Sequence, residues 1–188
     1  MIVIAGPSGS GKSRHFPARD FADAFFNVDD RCAELNRGAY HTTPPEVRAR
    51  AQSECEQFIA ACTANGTSFA VESTLRTSIA ITQAVRARAA GFVVKMIFVA
   101  TDDVHDNVLR VARRALDGGH SAPALRILEI YEHSLRNLAQ ALEIFDEVVL
   151  YDNTAHDRPP RLVRIYVRRH MVFDEPPIPQ WLSRALPA

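Results

Sequence analysis

The sequence predicts an α/β protein: a mainly parallel sheet of about five to six strands, helices on both faces, and a helical lid. Two observations predict it. Short runs rich in Val, Ile and Phe alternate with longer segments of helical period, the pattern of strands joined by crossover helices. Each of the first five runs is also followed directly by polar, mostly acidic residues, as expected where parallel strands end on one ligand-binding edge.

The first run, Ile2 to Ala5, leads through a glycine-rich turn into a helix expected over Lys12 to Phe21. The second, Ala24 to Val28, precedes Asp29 and Asp30. A helix is expected from Pro44 to Ala64, since prolines suit a first turn and Asn65-Gly66 a stop. Ser68 to Val71 forms the third run, followed by Glu72, Ser73 and Thr74. Thr77 to Ala90 reads as a helix closed by Gly91, and Phe92 to Ala100 as the fourth strand, followed by Thr101, Asp102 and Asp103. A helix from Asp103 to Leu116 breaks at Gly118-Gly119, and another runs from Pro123 to Phe145; together they make a lid over about 103–131. Glu147 to Tyr151 is the fifth strand, ahead of Asp152 and Asn153. A weaker sixth, Leu162 to Val167, alternates with Arg164 and reads as a half-exposed edge strand. The Pro-rich tail, about 174–188, carries Trp181, which is expected to dock on the body.

All 188 residues fit one domain with its own core. The 22 acidic and 22 basic residues cancel, which gives no global argument for nucleic acid or an anionic membrane. The five arginines of RPPRLVRIYVRRH are assigned to the sixth strand rather than to a nucleic-acid patch. No apolar run is long enough to span a bilayer, and a strand begins where a signal peptide needs a charged region, so the expectation is a cytoplasmic protein away from membranes. Cys32, Cys55 and Cys62 lack metal-ligand spacing and read as reduced thiols.

The strongest signal is Gly6-Pro7-Ser8-Gly9-Ser10-Gly11-Lys12-Ser13, which satisfies G-x-x-x-x-G-K-[ST] between an apolar strand and a helix. Glycines let backbone N–H groups face a phosphate, and a helix N-terminus adds partial positive charge. Lys12 is assigned to the β- and γ-phosphates and Ser13 to Mg²⁺. The fold expected is therefore a three-layer P-loop NTPase that binds a nucleotide with Mg²⁺.

Transfer to a second substrate needs a carboxylate to take the acceptor proton. Asp29 or Asp30 supplies it; the alternative is that both cap the next helix. Glu72, at the end of an apolar run, serves Mg²⁺, grips a substrate hydroxyl, or caps a helix. Arg110 and Arg114 share one helix face, and Arg113 lies beside them, as phosphate-directed lid arginines or as a solvated basic face. His120 in the glycine break orders the loop.

GPSGSGKS, FFNVDD, VESTL, RVARRALDGGHSAP, YEHSLRNL and VVLYDN stand in the order and spacing of the zeta-toxin-like P-loop kinases, which the chain resembles from residue 1 to about 154. The resemblance implies an ATP- and Mg²⁺-dependent kinase acting on a hydroxyl of a small molecule. The best-known members phosphorylate a UDP-linked amino sugar and are restrained by a small antitoxin. It makes Asp29 the base, Arg114 the charge-stabilising lid arginine, and Glu72 with Thr74 the acceptor grip; Asp30 and Arg76 are assigned to the same side. Arg110, Asp152 and Asn153 are placed on the nucleotide side. One departure stands out. Where relatives carry consecutive arginines on the second lid helix, this chain has Leu128-Glu129-Ile130-Tyr131; either Arg126, one turn before Ile130, reaches in as a substitute or nothing does and transfer is slow.

Two other readings remain open at this level. One is a nucleotide-binding protein whose transfer chemistry has decayed, suggested by the missing arginine. The other is a nucleic-acid-stimulated ATPase, suggested by the Arg-rich sixth strand.

Overall fold

A computed structural model describes residues 1–40, 43–116 and 122–186. Five strands form a parallel sheet: β1 (Ile2–Ala5), β2 (Ala24–Phe26), β3 (Phe69–Ser73), β4 (Lys95–Ala100) and β5 (Glu147–Asp152). β6 (Arg161–Val167) and β7 (His170–Asp174) extend it as an antiparallel hairpin, giving the order β2-β3-β1-β4-β5-β6-β7. The sheet thus has seven strands, and β6 is internal. The edge position expected for it belongs to β7, all five residues of which are exposed.

Among the described residues seven α-helices connect and cover the sheet: α1 (Lys12–His15), α2 (Val28–Leu35), α3 (Pro45–Ala64), α4 (Ile79–Ala89), α5 (Val104–Leu116), α6 (Ala124–Ile144) and α7 (Gln180–Ala185). Most agree with the periodicity. Two do not. The helix after the phosphate loop stops at His15, and Pro17 then leads a 3-10 turn, Ala18–Asp20, because proline has no N–H to continue the helical ladder. The second strand is only three residues long, and Val28 opens α2 instead of ending the strand.

The core lies between the sheet and its helices. Val3, Phe69, Phe98, Leu138, Leu150 and Trp181 are all fully buried in one cluster. Ile4, Ala18 and Ala70 form a smaller one on the other face, as expected for side chains alternating across a strand. Cys32, Cys55 and Cys62 are buried free thiols, and burial pushes Cys55 up to about 12. No described helix is long and apolar enough to cross a membrane.

Register explains where chemistry collects. Ala5 pairs with Ser73 and with Phe98, and Ala100 with Asp152, so the phosphate loop, Glu72 and Asn153 leave the sheet at the same edge.

Candidate active site

The loop from Gly6 to Ser13 joins β1 to α1. Gly9 and Gly11 have φ of +81° and +95°, which side-chain-bearing residues rarely adopt. A Cβ at Gly9 would sit 2.5 Å from the Asn107 carbonyl oxygen, and one at Gly11 would collide with Asn153 Nδ2. Asn153 in turn donates to the Ser10 carbonyl at 2.7 Å, so the end of β5 holds the loop. The N–H groups of Gly9, Gly11, Lys12 and Ser13 have no backbone acceptor among the described residues. Donors left over in this way, next to a buried ammonium, fit a phosphate chain.

Lys12 is 5% exposed. Its Nζ donates to the Pro7 carbonyl at 3.0 Å and lies 3.9 Å from Glu72 Oε1. Burial lowers its proton affinity below the ordinary lysine value; Glu72 and Asp29 oppose that shift, while Arg114 adds to it. Ser13 Oγ donates to Glu72 Oε1 at 2.9 Å, and Asn27 Nδ2 donates to Glu72 Oε2 at 3.1 Å. Among the described residues no group of three or more His, Cys, Asp or Glu is arranged to hold a metal. A hydroxyl beside one carboxylate is nevertheless the protein share of a site that Mg²⁺ completes with phosphate oxygens and water.

Asp29 stands in the first turn of α2, capped by Asn27, whose Oδ1 accepts from Asp29 N at 2.9 Å and Asp30 N at 3.4 Å. The cap is therefore Asn27 and neither aspartate. Asp29 Oδ1 is 3.3 Å from Arg48 Nη1. Asp30 is exposed, and its Oδ1 accepts from the Tyr40 hydroxyl at 3.0 Å.

Two cavities meet here. One, of about 740 Å³, is lined by the phosphate loop, Lys12, Ser13, Asn153 and the α5 arginines 110, 113 and 114. The other, of about 680 Å³, is lined by Arg48, Val71, Arg76, Arg126 and Ile130. Ser8, Asp29, Glu72 and Thr74 line both and form the wall between them.

Most residues singled out in the sequence line one or both of these cavities. Gly6, Pro7 and Ser10 shape the loop from beneath: Gly6 backs onto the Val99 carbonyl, Pro7 holds Lys12, and Ser10 is fully buried. Arg110 Nη2 donates to the Asn153 carbonyl at 2.9 Å and lies 3.3 Å from His156 Nδ1. Three assignments change. Asp30 lines neither cavity, because the helical turn carries it to the outside of α2. Asp152 lines neither, because its Oδ1 accepts from Trp181 Nε1 at 3.0 Å and Thr154 Oγ1 at 2.6 Å. Arg126 lines the second cavity and not the phosphate-loop cavity, and it pairs with Glu129 at 2.8 Å. Ile130 and Tyr131 are buried, with the Tyr131 hydroxyl donating to the Thr101 carbonyl at 2.6 Å. Gly118, Gly119, His120 and Ser121 lie outside the described residues.

Sequence reasoning missed Arg48. Nineteen positions separate it from Asp29, and only the packing of α3 on α2 brings them together. Neither periodicity nor a motif marks such a pair.

No protein-family model matches the chain, and no curated protein does. Solved structures do. A chain of the AvrRxo1-ORF1:-ORF2 complex with ATP superimposes with a TM-score of 0.69 at 13% identity, over 90% of this chain and 59% of that one. A chain of the PezAT chromosomal toxin-antitoxin system of Streptococcus pneumoniae gives 0.62 at 19% identity, over 98% and 77%. A chain of the Pnkp1/Rnl/Hen1 RNA repair complex gives 0.57 at 19%, over 74% and 45%. The chain thus spans 59% of the length of its AvrRxo1 counterpart. With a seven-stranded, mostly parallel sheet and a phosphate loop at its carboxyl edge, this chain shares the fold of the AvrRxo1-ORF1:-ORF2 and PezAT chains.

Proposed function

We propose that the chain is an ATP-dependent phosphotransferase that moves the γ-phosphate of ATP to a hydroxyl of a small molecule. The observation that carries this reading is the shared wall: Asp29 and Glu72 border both the phosphate-loop cavity and a second cavity of comparable size. A nucleotide hydrolase needs only the first. A kinase needs both, with a carboxylate between them.

In this reading the loop N–H groups and Lys12 bind the triphosphate, and Arg110, Arg113 and Arg114 approach it from α5. Ser13 and Glu72 would hold Mg²⁺, which supplies charge neutralisation and alignment of the phosphates. Asp29 orients the acceptor hydroxyl and takes its proton as transfer proceeds. Ile130 at the second arginine position leaves less cationic support for the transition state, and removing one such arginine slows transfer by about a thousandfold in other systems. We therefore expect slow turnover. By the sequence resemblance a UDP-linked amino sugar is the first acceptor to test, and by likeness to the PezAT toxin-antitoxin chain a small antitoxin protein is the first partner.

The test is a metabolite screen with γ-labelled ATP, run on wild type and Asp29→Asn, with nucleotide affinity measured by calorimetry. Asp29→Asn is expected to retain ATP affinity and to lose acceptor labelling by at least about a hundredfold. Equal loss of binding and transfer, or ATP turnover that no acceptor stimulates, overturns the assignment.

A further inference from the structure

Arg48 reaches the carboxylate that the transfer requires. Its Nη1 is 3.3 Å from Asp29 Oδ1, and both side chains remain partly open to solvent, at 33% and 42%. An ion pair this exposed is weak and exchangeable. Arg48 also lines the second cavity, so the same guanidinium faces whatever enters there.

That cavity sets three arginines against three carboxylates, Asp29, Glu56 and Glu72. Arg48, Arg76 and Arg126 all line it. Its carboxylates are engaged: Glu56 accepts from Gln83 at 2.6 Å, Glu72 from Ser13 and Asn27, and Asp29 from Arg48. Arg76 has no ion pair among the described residues; burial, Arg126 and Arg48 weaken its hold on its proton, and Asp29 partly opposes them. A bound anion would relieve this crowding.

We propose that Arg48 is a gate on Asp29, opened by an acceptor that carries its own anionic group. This rests on the kinase reading above. Without acceptor, Arg48 occupies Asp29 Oδ1 and keeps the carboxylate from activating water beside bound ATP. An acceptor bearing a phosphate or carboxylate draws Arg48 toward itself and Arg76, which frees Asp29. The acceptor oxygen then bonds to the γ-phosphorus as the bond from that phosphorus to the β,γ-bridging oxygen breaks. ADP leaves with that electron pair, and the hydroxyl proton passes to Asp29. The gate couples release of the base to occupancy of the acceptor cavity.

The experiment measures phosphate release by the full chain at saturating Mg-ATP with no acceptor, for wild type, Arg48→Gln, Arg48→Lys and Asp29→Asn/Arg48→Gln. Methyl phosphate and acetate, which have no hydroxyl to be phosphorylated, serve as separate anion probes. Methyl phosphate is expected to raise wild-type hydrolysis several-fold and saturably. Arg48→Gln should already hydrolyse ATP several-fold faster than wild type and ignore the probe. Arg48→Lys should stay low, and the double variant should fall back to the wild-type level or below. A response to acetate as well extends the recognised group to carboxylates. If neither anion stimulates wild type, or if Arg48→Gln with unchanged circular dichroism and ATP affinity is no faster than wild type, the gate is refuted. The kinase reading then survives wherever Asp29→Asn still abolishes acceptor labelling. Hydrolysis by Arg48→Gln that the added Asp29→Asn change does not lower refutes the gate, and acceptor labelling that survives Asp29→Asn removes the kinase reading as well.

Discussion

At Asn27 one amide is shared between a helix end and a carboxylate: Oδ1 receives the N–H groups of Asp29 and Asp30, while Nδ2 donates to Glu72. The residue therefore holds Asp29 and Glu72 in place together. Asn27→Ser keeps an oxygen for the cap and loses the donor, so it is expected to melt close to wild type while transfer falls. Asn27→Ala loses both and should be destabilised by about 1 kcal/mol in urea denaturation, with transfer lower still. If Asn27→Ser matches wild type in transfer, the bond to Glu72 has no part in catalysis.

At the scale of elements, α7 shows how a tail is joined to the site. Trp181 is fully buried, its ring centroid 5.8 Å from that of Phe98. Its backbone N–H donates to Asp102 Oδ1 at 2.8 Å and its indole to Asp152 Oδ1 at 3.0 Å, which ties α7 to the ends of β4 and β5. Asp152 is next to Asn153, the residue that holds the phosphate loop. Trp181→Ala should lower stability by about 3–5 kcal/mol in urea denaturation. Trp181→Phe, which keeps most of the packing, should lose far less. A loss of ATP affinity in Trp181→Ala at temperatures where the variant is still folded would trace the connection from tail to loop. The hairpin β6–β7 makes the opposite point about legibility. Its turn residues Arg168 and Arg169 have φ of +47° and +71°, conformations usually marked by Asn or Gly. With arginines in the turn and every β7 residue exposed, neither a turn signal nor a burial signal was present to announce the seventh strand.

For the whole molecule, the two cavities open on one sheet edge, and the nucleotide side is built from segments far apart in the chain: the phosphate loop, α5 and the stretch after β5. A ligand that bridges them binds only the folded state and stabilises it. At a hundredfold excess over its dissociation constant, Mg-ATP is expected to add about 2.7 kcal/mol and raise the melting temperature. Lys12→Ala should abolish that rise, since it removes the buried ammonium from the centre of the cradle. A full ATP-induced shift in Lys12→Ala would contradict the placement of the phosphates.

The amino-acid sequence by itself determined the α/β class, the phosphate-loop motif and the placement of Asp29 and Glu72 beside strand ends, because these depend on local period and on residues adjacent to the strands. Only tertiary structure decided that Asp30 and Asp152 turn away, that Arg126 belongs to the second cavity, and that Arg48 reaches Asp29. Each of those outcomes depends on how one element packs on another. Such contacts join positions from ten to more than seventy residues apart, and no local pattern in the chain records them.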